Sequence, residues 1–138
     1  MPYQSILVAL SCVGHEELVL QEAFKFKEVL GAKMTVIHIN RAHAGEMSMM
    51  MDSSGHRFKE NEIRSQIENY GFSAEDVTII LDSAEYVQKA LIEYANNYDL
   101  LILGHRKMSS FKEHFFDSVD EGIINHVSCP VLVIPKPK

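Results

Sequence analysis

The chain has 138 residues, 46% of them hydrophobic and 23% charged, with 13 basic against 19 acidic side chains and a net charge of −6. That length and mix describe one globular domain over residues 1–138, large enough to bury about two-thirds of its unfolded surface. The acidic balance argues against non-specific nucleic-acid and anionic-membrane binding, and no apolar run reaches the roughly 18 residues of a membrane span.

The start, Met1-Pro2-Tyr3-Gln4, lacks the basic and apolar regions of a secretion signal, so the expected location is the cytoplasm. Ser5-Ile6-Leu7-Val8-Ala9-Leu10 is apolar after its first residue, the pattern of a strand covered on both faces. The turn Ser11-Cys12-Val13-Gly14 leads into a helix with Glu16 and Glu17 in its first turn, where the helix dipole favours acids. Val19, Ala23, Phe26 and Leu30 share one face of it, and Gly31 is its C-terminal stop. Lys33-Met34-Thr35-Val36-Ile37-His38-Ile39-Asn40 reads as the second strand, with His38 a hydrogen-bonded core histidine.

Residues 41–55 show no helical or strand period and carry Met47, Met49, Met50 and Met51. Soft metal chemistry would need a ligand spacing that this stretch lacks, and a mobile flap or partner surface is the better reading. No metal is expected. A second helix runs over residues 56–70 with Ile63, Ile67 and Tyr70 on one face, and Gly71 ends it. Val77-Thr78-Ile79-Ile80-Leu81 is a third strand, after which Asp82 is the expected N-cap of a third helix, with Glu85 three residues on. Val87, Leu91, Tyr94 and Tyr98 form the buried stripe of that helix.

Leu100-Leu101-Ile102-Leu103-Gly104 is a buried strand ending in glycine, followed by the basic loop His105-Arg106-Lys107-Met108-Ser109-Ser110. Asp117-Ser118 then starts a short helix with Val119, Ile123 and Val127 on its apolar face. A strand, a glycine, a loop and a helix start together describe where an α/β protein holds an anion. Gly104 serves either a phosphate contact or a sharp strand exit. Ser118-x-x-Glu121 reads as a capping box before it reads as a phosphate donor, and the basic loop as a solvated one. Cys129-Pro130 introduces a last strand, Val131-Leu132-Val133-Ile134, and Pro135 is expected to terminate its pairing. Cys12 and Cys129 are expected at opposite edges of the sheet, beyond the Cα spacing of about 4.4–6.8 Å that a disulfide needs, and so as free thiols.

Alternating strands and helices give an α/β three-layer sandwich, a five-stranded parallel sheet with helices on both faces. Ligands of such sheets bind beside the strand ends where the winding reverses, here between the first and fourth strands.

In the order and spacing of Ile6-Leu7-Val8-Ala9-Leu10, Val36-Ile37-His38-Ile39, Asp99-Leu100-Leu101-Ile102-Leu103-Gly104-His105 and Cys129-Pro130-Val131-Leu132-Val133-Ile134, nearly the whole chain resembles the universal stress proteins. The resemblance implies strand order 3-2-1-4-5 and a homodimer. It also implies, in the ATP-binding members, a G-x2-G-x9-G-[S/T] motif after strand four, an aspartate after strand one and a main-chain adenine contact after the histidine of strand two. Carried over, Gly104 and Ser118 match the motif's first and last positions, whereas its second and third glycines fall on Lys107 and Asp117. The aspartate position is Ser11 and the adenine-contact position is Ile39. Glycine followed by His105 at the end of strand four resembles the branch that lacks the ATP motif.

A carboxylate at Asp117, beside a helix start, would occupy the place of a phosphate and repel one. The expected function is that of a cytoplasmic stress-response regulatory or interaction protein, homodimeric through Val131, Leu132, Val133 and Ile134, acting through unidentified protein partners. Neither a cofactor nor tight ATP binding is expected of it, and no catalytic set of nucleophile, base and orienting group can be named. The alternative is an adenine-nucleotide sensor with an altered phosphate loop, binding AMP or ATP weakly.

Overall fold

The structure is a computed structural model that describes residues 3–12, 16–42, 56–106 and 118–136. These residues form β1 (Ser5–Ala9), α1 (Glu17–Leu30), β2 (Lys33–Arg41), α2 (Glu60–Asn69), β3 (Val77–Ala84), α3 (Val87–Ala95), β4 (Leu100–Arg106), α4 (Ser118–His126) and β5 (Val131–Lys136). The strands make one parallel sheet in the order β3-β2-β1-β4-β5, as expected.

β1 is central because both its faces are apolar: Ile6, Leu7 and Val8 are fully buried. Ile6 and Val8 face a core shared with Val19, Leu20 and Ala23 of α1 and Ile63 and Ile67 of α2. Leu7 faces the opposite core, with Leu91 and Ala95 of α3 and Ile123 of α4. Each such side chain contributes about 1.5–3 kcal/mol through its burial. At the start of β1, one Asp99 carboxylate oxygen accepts from the Gln4 and Ser5 amides, at 2.8 and 3.1 Å, and from the Ser5 hydroxyl at 3.3 Å. Asp99 thereby ties the entry of β4 to that of β1.

Gly31 ends α1 in a left-handed conformation, φ +63°, and its amide closes on the Glu28 carbonyl, as a helix-stopping glycine should. Elsewhere the local signals give way to sheet pairing. Asp82 is not a helix cap: β3 continues to Ala84, held in register with β2 as Ile39 pairs with Asp82 and Arg41 with Ala84. Its carboxylate instead accepts from the Ser83 amide at 2.7 Å and the Tyr94 hydroxyl at 2.6 Å. The Tyr94 bond, then the Ser83 bond, holds Asp82 below the usual carboxylate range, and the same contact pushes the Tyr94 phenol up.

His105 and Arg106 do not begin a loop but extend β4, paired with Pro135 and Lys136 of β5. Pro135 therefore sits within the last strand, where an edge position leaves its missing N–H without consequence. Residues 56–58 precede α2 rather than opening it. Both cysteines are free, but at opposite ends of the sheet rather than opposite edges: Cys12 follows the central strand and Cys129 precedes the edge strand. Burial pushes the Cys129 thiol up. No described helix is long and apolar enough to cross a membrane. Most of the methionine-rich stretch, residues 43–55, lies outside the described residues.

Candidate functional site

The sheet has a notch where its winding reverses. Ala9, the last residue of β1, is level with Ile37 of β2 and Leu103 of β4. β2 runs on to Arg41 and β4 to Arg106, so the chain leaves β1 several residues before its neighbours end. The floor of this notch is the turn after Leu10, and its walls are the free lengths of β2 and β4. Crevices of this kind, outside the carboxyl ends of strands, hold the ligands of α/β sheets.

The floor is a strained turn held by hydrogen bonds to one carboxylate. Cys12 is buried with φ +63°, a left-handed conformation that costs a non-glycine residue about 1 kcal/mol or more. Glu16, the N-cap residue of α1, is 1% exposed. One of its carboxylate oxygens accepts from the Ser11 amide at 3.0 Å, the Ser11 hydroxyl at 2.6 Å and the Cys12 amide at 3.1 Å. Its own amide donates to the Tyr70 hydroxyl at 3.4 Å, and its carbonyl accepts the Leu20 amide at 2.9 Å. A buried carboxylate that gathers hydrogen bonds from a turn does the work of a bound anion. By its sequence context Glu16 is only one of two first-turn acids, with Glu17. The available signal was its spacing, five residues beyond Ser11 across a short turn.

On the β2 wall, His38 is 8% exposed and its Nδ1–H donates to the Leu10 carbonyl at 2.8 Å, the hydrogen-bonded role expected of it. Asn40, 3% exposed, was not singled out by its sequence context. Its Nδ2 donates to the Phe58 carbonyl at 3.1 Å, and its Oδ1 accepts the Phe58 amide at 2.9 Å. This pairing lays the approach to α2 along the upper end of β2.

Of the residues expected at the site, Ser11 lies in the notch floor, Ile39 is buried in the β2 wall, and Gly104 and His105 lie in the β4 wall. Gly104 pairs with Ile134 inside β4, so it is not a strand exit. Ser118 is the first residue of α4. Lys107, Asp117 and the side-chain cap expected of Ser118 and Glu121 lie outside what the structure describes. Val131, Leu132 and Val133 are half-buried and Ile134 is buried on edge strand β5. Among the described residues, no group of three or more His, Cys, Asp or Glu side chains is placed to hold a metal ion.

The sequence profile of the universal stress protein family matches residues 2–135. The chain belongs to the universal stress protein family. No curated protein matches its sequence. Among solved structures it is similar to the universal stress protein UspA from Lactobacillus plantarum, at 19% identity, covering 96% of this chain and 97% of that one with a TM-score of 0.69. A universal stress protein in complex with cAMP is 16% identical, with 97% of this chain and 98% of that chain covered and a TM-score of 0.69. The universal stress protein from Archaeoglobus fulgidus in complex with dAMP is 19% identical, with 97% and 99% covered and a TM-score of 0.58. At these identities the likeness carries the fold. The five-stranded order and flanking helices are thus those of universal stress proteins, with a notch floor that this chain closes with its own Glu16 carboxylate.

Proposed function

We propose that this universal stress protein is a cytoplasmic regulatory or interaction module of the stress response, acting as a homodimer through protein partners, without catalysis and without tight ATP binding. The observation that carries the reading is the Glu16 carboxylate, which engages the Ser11 and Cys12 donors of the notch floor. An incoming phosphate would have to displace it or rest against a like charge. Asp117, at a glycine position of the family's phosphate motif, acts in the same direction, whereas Lys107, at another, exchanges close main-chain approach for a positive charge. Gly104 and Ser118 are what remains of that motif, and Ile39 retains the main chain of the adenine position.

A second reading, an adenine-nucleotide sensor of low affinity, draws on the cAMP and dAMP complexes of its structural neighbours. Mass spectrometry of small molecules released from the purified protein separates the two. The expected result is no stoichiometric adenine nucleotide. A nucleotide recovered at one per chain would put the sensor in place of the interaction module.

The dimer reading rests on β5, which ends the sheet and presents the outer backbone edge of Val131, Leu132, Val133 and Ile134, with Pro135 limiting how far pairing can extend. An unpaired edge of apolar residues invites a second copy, and two-fold pairing closes it. The wild-type chain is expected to sediment as a dimer at micromolar concentration, and Val133→Lys as a monomer with a retained cooperative melt. A monomeric wild-type protein at that concentration contradicts the dimer.

A further inference from the structure

Residues 56–59 form an extended strap that enters α2 across the end of β2. Both main-chain groups of Phe58 are taken by Asn40, and Arg57 Nη2 donates to Ser83 Oγ of β3 at 2.5 Å. The Phe58 ring meets two imidazoles edge to face: His38 with centroids 5.0 Å apart, and His56 with centroids 4.6 Å apart. His56 Nε2 lies 2.8 Å from Glu62 Oε2, and the other oxygen of that carboxylate accepts the Lys59 amide at 2.9 Å, capping α2. A single carboxylate therefore fixes both the helix start and the strap's outer imidazole. From there the contacts run without a gap through Phe58 to His38, and through His38 Nδ1 to the Leu10 carbonyl at the notch floor.

We propose that these residues form a proton-responsive strap: the charge on His56 sets how firmly the strap docks on β2, and the Phe58–His38 contact passes that docking to the turn after β1. Imidazole is the side chain that changes charge between about pH 5 and 8. When His56 is protonated its Nε2–H makes a charge-assisted bond to Glu62, whereas the neutral ring keeps the bond only in one tautomer. The side-chain bond from His56 is also the leading cause that holds Glu62 below the usual carboxylate range. Glu62 contributes to the docked state above its unfolded value and loses that contribution as pH falls through the lowered one. Docking is thus tightest where an ionised Glu62 meets a charged imidazole.

The other charged groups around the strap are accounted for. Arg57 points to Ser83, and Glu60 pairs with Arg64 at 3.2 Å. Lys59 lies on the strap beside Glu62, and His38 approaches from β2 on the far side of Phe58.

Amide hydrogen exchange on the full chain, corrected for the chemical rate at each pH, tests this. An exposed ion pair changes local opening by about two- to five-fold. The Phe58 amide is expected to open that much more often at about pH 7.5 than at about pH 5.5, with the amides of residues 10–12 following in the same direction. Glu62→Gln keeps an acceptor for the Lys59 amide but removes the charge, and should abolish the difference at both places. Equal protection at both pH values in the wild type, a difference that survives Glu62→Gln, or a change at Phe58 without one at residues 10–12 would each overturn the proposal.

Discussion

Glu16→Ala is expected to lower the free energy of unfolding by about 2–4 kcal/mol, one of the largest effects available outside the apolar core. The alanine removes an acceptor that three donors share, at 3.0, 2.6 and 3.1 Å. The Cys12 amide is buried and its backbone already carries a left-handed φ, so losing this bond weakens a conformation that is costly to begin with. The Ser11 amide and hydroxyl are nearer the surface and can turn to water, which keeps the loss below the sum of three charged hydrogen bonds. Glu16→Gln, which retains an oxygen acceptor, should cost less than half as much. Urea denaturation of the three proteins measures this. An alanine variant within about 0.5 kcal/mol of the wild type would show that the carboxylate is incidental to the turn.

The second large effect concerns ATP. Restoring glycine at both Lys107 and Asp117 is expected to raise ATP affinity, with most of the gain coming from position 117. Two like charges about 4 Å apart repel by about 4 kcal/mol in a partly shielded site, which is near a thousandfold in affinity. Glycine at position 107 adds close approach of the main chain to a phosphate but removes a positive charge, so Lys107→Gly alone should do little. Calorimetry on Asp117→Gly, Lys107→Gly and the double variant measures the split. A double variant that binds ATP no better than the wild type would contradict the role proposed for Asp117 and leave the Glu16 carboxylate as the proposed barrier to ATP.

The framework of this fold was legible because its strands are apolar runs with both faces covered, and because their order and spacing resemble one family. What local patterns misplaced, long-range pairing explains. Asp82 with Glu85 has the spacing of a capping box, but eight successive register partners between β2 and β3 carry the strand through it. Gly104 looked like a strand end because glycine is a weak strand former, yet β5 supplies partners as far as Arg106. Glu16 and Asn40 were harder still. The role of Asn40 depends on Phe58, 18 residues away, and that of Glu16 on a turn whose left-handed residue is a cysteine and not a glycine. Burial of a polar side chain is decided by the partner that satisfies it, and neither partner lies within a helical or strand repeat.

The most direct test is a calorimetric titration of the unmodified, full-length protein with ATP. We expect no measurable heat of binding at about tens of micromolar protein, because the notch floor already holds a carboxylate and Asp117 adds another near the helix start. Binding of ATP with a dissociation constant in the low micromolar range would contradict this and make the chain a nucleotide sensor.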